Sequence, residues 1–248
     1  MMNKKINWRI GCSGYHYKEW KEVFYPPGLQ QRLWFSHYAK YFNTLELNST
    51  FYQFPKPAAL KKWFAESPDD FVFSLKVPRI ITHYKKFTGT EQLLADFYNV
   101  VGDGLASKLG AVLFQLPPQI QYSAEMLQKI INSLQPGFNN VIEFRHASWW
   151  KEKVYDELAK MGVGFCGSSH PKLPDQLIIN TNIVYYRFHG VPNLFKSSYE
   201  DSFLKKKADS IQKNTNVHTA FLYFNNTWGT AALTNATWLH DYVTTLHK

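Results

Sequence analysis

Ionisable side chains occur at the ends of several apolar runs, where a buried strand would be expected to stop. Glu46 lies two residues before the end of TLELN (44–48), Lys76 closes FVFSLK (71–76), Glu143 and Arg145 close NVIEFR (140–145), and Arg187 and His189 close IVYYRFH (183–189). Paired carboxylates can share acid and base work. An imidazole titrating near neutrality suits proton transfer, and guanidinium groups grip phosphate or carboxylate with two prongs. Glu46, Glu143 and His189 are therefore the expected catalytic groups, with Lys76, Arg145 and Arg187 as a substrate-binding cation cluster. Orienting Arg145 or Arg187 is an equal alternative role for Glu143, which the sequence leaves open. Asn48, Gln115 and Asn225 fall at similar strand ends and are expected to hydrogen-bond the same substrate. Among many aromatic residues, Tyr15, Tyr52 and Trp149 are expected as pocket walls. His83 lies in a loop within reach of the site, whereas His146 is expected to point away and support its loop.

Positioning these groups together requires strands. Eight β-rich runs stand out, at 8–12, 44–48, 71–76, 111–115, 140–145, 163–168, 183–189 and 218–225. Helix candidates at 30–42, 57–66, 90–107, 123–134, 151–161, 199–213 and 230–246 alternate with them. Ser123 suits an N-cap and Pro57 a first helical turn. Strand followed by helix, repeated through 248 residues, predicts an α/β fold: a single TIM-like (β/α)8 barrel occupying one domain, 1–248. Long irregular stretches at 13–29, 77–90, 169–182 and 190–198 follow strands, as loops on the active face of a barrel do.

Side chains alternate along a strand, so parity sorts them into lumen and helix-facing sets. Thr44, Glu46, Asn48, Ser74, Lys76, Gln115, Glu143, Arg145, Arg187, His189, Tyr223 and Asn225 are assigned inward. Leu45, Leu47, Val72, Phe114, Ile142, Phe144, Phe188 and Phe224 are assigned outward. Buried charge lowers stability unless it is paired or useful. Convergence of so many polar groups on the open end of a barrel therefore favours a functional pocket over an inert internal salt-bridge network.

Composition narrows the remaining classes. A hydrophobic fraction of 45% with 17% aromatic residues excludes a disordered chain. Cys12 and Cys166 have neither metal-like nor redox-like spacing and read as small buried apolar residues. The net charge of +9 comes from lysine, 23 residues against five arginines, which usually serves solubility and only secondarily attracts nucleic acid. No signal-peptide pattern and no apolar run of membrane-spanning length is present, so a cytoplasmic protein without a membrane partner is expected. The glycine, serine and histidine motifs of nicotinamide binding, P-loop hydrolysis, serine hydrolases and zincins are absent.

Seven strings carry a resemblance: GCSGYHYKEWKEVFYPPGL (11–29), YFNTLELNSTFYQFP (41–55), FSLKVPRIITH (73–83), LGAVLFQLPP (109–118), VIEFRHASWW (141–150), YYRFHG (185–190) and YFNN (223–226). Together they resemble the domain-of-unknown-function family 72, the YecE-like family, across essentially the whole chain. The resemblance implies a single TIM-like barrel and no defined reaction. A looser architectural likeness to the endonuclease IV and xylose isomerase group makes metal-dependent phosphodiester cleavage conceivable, by analogy alone.

The expected function is an enzyme acting on a small anionic or sugar-containing molecule at the C-terminal mouth of the barrel. Nucleic-acid binding and a non-catalytic scaffold are the alternatives. No cofactor is expected. Only Glu46, Glu143 and His189 could hold a divalent metal, and three neighbouring cations would oppose it. Oligomeric state is left open.

Overall fold

The computed structural model describes residues 5–246. Eight parallel strands form one sheet in the order β1-β8-β7-β6-β5-β4-β3-β2. They are β1 (Asn7–Cys12), β2 (Thr44–Leu47), β3 (Val72–Lys76), β4 (Leu109–Gln115), β5 (Asn140–Glu143), β6 (Gly164–Ser169), β7 (Ile183–Phe188) and β8 (Thr219–Phe224). The helices are α1 (Trp34–Tyr38), α2 (Ser49–Tyr52), α3 (Pro57–Glu66), α4 (Glu91–Leu105), α5 (Ala124–Ser133), α6 (Glu152–Lys160), α7 (Asp201–Gln212) and α8 (Ala231–Thr245). This is the (β/α)8 barrel, with the link from β6 to β7 made by a loop, where the sequence offered no helix. Among the described residues, no helix is long and apolar enough to cross a membrane.

Local chemistry accounts for the helix starts. Ser123 Oγ accepts the Met126 amide at 3.0 Å, capping α5, and Pro57 occupies the first turn of α3. The helix expected over 30–42 contracts to a 3₁₀ turn, Gln31–Leu33, and the short α1. Trp, Phe, Ser, His and Tyr are weak helix formers, so packing decides there. Trp34 stacks on Tyr25 at 4.4 Å.

Two apolar layers result. Leu45, Leu47, Phe114, Ile142, Phe144, Phe188 and Phe224 lie between strands and helices. Ala111, Leu113, Val141, Cys166, Tyr185, Phe221 and Tyr223 fill the lumen. Val72, expected outside, packs with the lumen set. Its parity is that of Ser74 and Lys76, so one side of the strand must carry all three. Cys12 and Cys166 are free and buried.

Closure between β1 and β2 rests mostly on side chains. Tyr38 Oη accepts the Cys12 amide at 2.8 Å and donates to the Thr44 carbonyl at 3.0 Å. Asn43 Nδ2 donates to the Trp8 carbonyl at 3.0 Å. Gly11 permits this approach, because a Cβ there would lie 2.3 Å from the Thr44 oxygen.

Register sets the height of the mouth. Glu46 pairs with Ser74, Gln115 with Glu143, and Arg187 with both Ser168 and Tyr223. β5 ends at Glu143 and β7 at Phe188, earlier than expected. The chain nonetheless continues extended: the His189 amide donates to Ser169 and the Asn225 amide to Phe188, at 3.0 and 2.8 Å.

Candidate active site at the barrel mouth

Arg187 stands at the centre of the polar layer. Its Nη2 and Nε donate to Glu46 Oε1 at 2.6 and 3.2 Å, and its Nη1 donates to Glu143 Oε2 at 2.8 Å. Tyr185 Oη donates to the other Glu46 oxygen at 2.6 Å. One guanidinium thus spans two carboxylates from β2 and β5, and all three groups are fully buried. Such a pairing satisfies charges that would otherwise be costly inside a barrel.

Glu143 has two further partners. Arg145 Nη2 approaches Oε1 at 3.0 Å and His189 Nε2 lies 2.8 Å from the same oxygen. Burial alone would raise the Glu143 carboxyl, but Arg145, Arg187 and His189 hold it well below the usual carboxylate range. Burial and the two guanidiniums push His189 well below the ordinary imidazole value. The ring is therefore neutral. Nε2 carries the hydrogen toward Glu143, and Nδ1 accepts from Asn225 Nδ2 at 2.9 Å. Both ring nitrogens are occupied, and His189 has no exposed surface.

Above this layer lies a cavity of about 560 Å³. Asn48, Tyr52, Lys76, Gln115, Arg145, Arg187 and Asn225, all expected from sequence, line it. Glu46, Glu143 and His189 form its foundation rather than its wall. Two expected residues are displaced. Trp149 is fully buried, stacks on Phe144 at 4.2 Å and donates Nε1 to the Ile120 carbonyl at 2.8 Å. The 3₁₀ turn Ala147–Trp149 directs the indole into the helix-facing core. Tyr15 packs on Phe35 at 5.6 Å and also lies outside the cavity wall. Tyr17 replaces it at the cavity edge, and its hydroxyl donates to Ser13 O at 2.5 Å. His146 serves its loop, accepting the Ser148 amide on Nδ1 at 3.2 Å.

Arg79 is the main addition. The π-helical turn Ile80–Tyr84 follows it, and its guanidinium lies 5.5 Å from the Tyr52 ring and 5.4 Å from the Tyr84 ring. RIITHY carried no periodic signal that could have marked this turn. His83 also lines the cavity, and burial and nearby cations lower it to about 4.

Lys76 differs from Arg145 and Arg187, the cations paired with carboxylates. Its Nζ sits 3.7 Å from the Phe51 ring centre, held there because α2 follows β2 directly and Thr50 Oγ1 donates to the Lys76 carbonyl at 2.6 Å. No carboxylate pairs with it among the described residues. Burial first, then Arg187 and Arg145, lower its amine to about 7 against the attraction of Glu143.

Among the described residues, no group of three or more His, Cys, Asp or Glu side chains is placed to hold a metal ion. A larger groove of about 900 Å³ opens between α4 and α5, lined by Phe87, Glu91, Tyr98 and Lys129 among others. It lies on the outer wall, remote from the ionic layer.

Known proteins resemble this chain in sequence or in fold. The E. coli O157:H7 protein UPF0759 YecE is 28% identical over 149 residues, covering 60% of this chain and 52% of its own. The Bacillus subtilis protein UPF0759 YunF is 26% identical over 143 residues, 55% of this chain and 51% of its own. The chain thus spans about half the length of the curated relatives it matches. A DUF72 family protein from Thermotoga maritima superposes with a TM-score of 0.86 at 25% identity, over 96% of this chain and 99% of that one. Another from Enterococcus faecalis gives 0.82 at 18% identity, over 96% and 95%, a likeness of fold alone. The family described as "Protein of unknown function DUF72" matches residues 9–248, and the chain belongs to it.

Proposed function

We propose that the protein is an enzyme whose barrel mouth binds a small molecule bearing a phosphate or carboxylate group. The charge balance of the cavity carries this reading. Three guanidiniums, those of Arg79, Arg145 and Arg187, line it beside the partly protonated Lys76. Only Glu46 and Glu143 oppose them, and both are engaged by Arg187. A concave site with uncompensated positive charge concentrates anions. Two buried polar atoms, Arg145 Nε and Asn48 Oδ1, have no partner among the described residues, so a ligand could satisfy them.

Roles follow from position. Arg145 and Arg79 offer the anion its hydrogen bonds, Gln115, Asn48 and Asn225 orient the remainder, and Tyr52 supplies a flat wall. Glu46, Glu143 and His189 act as the frame that aims the guanidiniums. A cytoplasmic site of action belongs to this reading, and the free buried cysteines fit a reducing compartment.

Thermal unfolding with inorganic phosphate, at constant ionic strength set with chloride, tests it. Phosphate should raise Tm through mass action, and Arg145→Met should abolish the rise. No rise in the wild-type protein would overturn the proposal. The alternatives separate in the same experiment. Nucleic-acid binding by surface lysines would survive Arg145→Met and weaken steeply with salt, and an inert scaffold would show no anion response. Metal-assisted phosphodiester cleavage would require Glu46, Glu143 or His189 to leave its present partners.

A further inference from the structure

We infer that Lys76 is a nucleophilic amine that forms an imine with a carbonyl group on the anionic substrate. The inference rests on the anion-binding reading and adds to it the substrate class, a carbonyl compound bearing a carboxylate or phosphate.

Lys76 is the one cation of the mouth set for reaction rather than for holding an anion. A lysine used to grip an anion gains by staying protonated, and a nearby carboxylate would keep it so. Here Lys76 pairs with no carboxylate among the described residues and shares the cavity wall with Arg145 and Arg187, whose charges oppose an ammonium, while the Phe51 ring 3.7 Å from Nζ attracts it and works against them. Neighbouring cations and burial are the two means by which proteins free an amine for attack on a carbonyl. Lys76 has both, and its amine falls to about 7. The residue is 8% exposed and lines the 560 Å³ cavity, so its free face opens toward the ligand.

The groups around it suit each part of such a substrate. Arg145 holds the anionic end. Asn48 and Gln115 share the cavity wall with Lys76 and can hydrogen-bond the carbonyl oxygen. His83, neutral in the same wall, can pass a proton between nitrogen and oxygen. The neutral amine adds to the carbonyl carbon, and its proton moves to the oxygen to give a carbinolamine. A second proton on that oxygen releases water and leaves a protonated imine. Hydrolysis reverses each step and restores the amine.

Reductive trapping tests this on the intact protein. Glyoxylate, the smallest carbonyl carboxylate, and sodium cyanoborohydride are added at pH 7, and modified lysines are mapped by peptide mass spectrometry. Lys76 should be labelled about a hundredfold faster than surface lysines, since it carries roughly a thousandfold more free amine at pH 7, partly offset by the weaker nucleophilicity of a less basic amine. Its labelling should reach half its maximum rate near pH 7, and phosphate should slow it without slowing the surface sites. Uniform labelling, or an unmodified Lys76 in protein that phosphate still stabilises, would overturn the imine and leave anion binding intact. If phosphate neither stabilises the protein nor protects Lys76, the anion reading falls and this inference with it. Lys76→Met should lose the fast label while the surface lysines keep their rates, and a fast label that persists in this variant would overturn the assignment.

Discussion

Replacing Lys76 by Met should stabilise the protein at pH 7, and the gain should shrink as pH rises. The amine falls from 10.5 in an unfolded chain to about 7 when folded. At about 1.36 kcal/mol per unit, holding this group in place costs roughly 4 kcal/mol at pH 7. The sign follows from proton counting. Between pH 7 and 10.5 the unfolded chain binds more protons at this position than the native one, so stability rises with pH across that window. The penalty is full below about 7 and gone above 10.5. Methionine has nearly the same length, keeps a favourable sulfur contact with Phe51 and carries no charge. The variant should therefore gain about 2–4 kcal/mol at pH 7, some 5–15 °C in Tm for a chain of this size. Roughly 2 kcal/mol of that advantage should disappear by pH 9. Urea unfolding followed by tryptophan fluorescence, on both proteins at several pH values, measures the difference directly. A difference that stays constant with pH, or a Met variant less stable at pH 7, would refute the account of how Lys76 is held.

Two other substitutions probe the ionic layer and a third the helix-facing core. Arg187→Met leaves Glu46 and Glu143 buried without their shared partner and should cost about 3–5 kcal/mol in urea unfolding at pH 7. Part of that loss should return as pH falls toward 5, the reverse of wild-type behaviour at Glu143, whose lowered carboxyl gives stability that acid removes. His189→Asn breaks the link between Glu143 and Asn225 and should cost about 1–3 kcal/mol. It should also flatten the acid limb of the stability curve, because native His189 resists the proton that the unfolded chain accepts below about 6.5. Trp149→Phe removes the bond to Ile120 and some core volume, and should cost about 1–2 kcal/mol while leaving phosphate affinity unchanged.

Much of the ionic layer was legible from parity alone. Glu46, Lys76, Glu143, Arg145, Arg187 and His189 each alternate with apolar neighbours that fix which side faces the lumen, and all six converge. Periodicity does not say whether a converged group will be wall or foundation. His189 and the two glutamates sit beneath the cavity because the guanidiniums of Arg187 and Arg145 cover them, an arrangement set by side-chain length and cross-strand partners. Beyond the strands the signal weakens. Tyr15 and Trp149 lie in loops where a single turn decides between cavity and core, and each turned toward the core. Arg79, with its flanking Tyr52 and Tyr84, depends on a π-helical turn, which has no repeating pattern of its own. Val72 was decidable by counting along its strand.

The way Tyr38 and Asn43 fasten β1 to β2 bears on where the barrel first loosens. Main-chain ladders melt cooperatively, but a junction held by a phenol, an amide and one isolated main-chain bridge between Ser13 and Glu46 can part while its neighbours stay zipped. Deuterium should therefore enter the amide of Cys12 sooner than amides at the β7–β8 boundary, and Tyr38→Phe should hasten that entry. Glu46 sits one residue short of the end of β2, so the same breathing would tug on the carboxylate beneath the anion site.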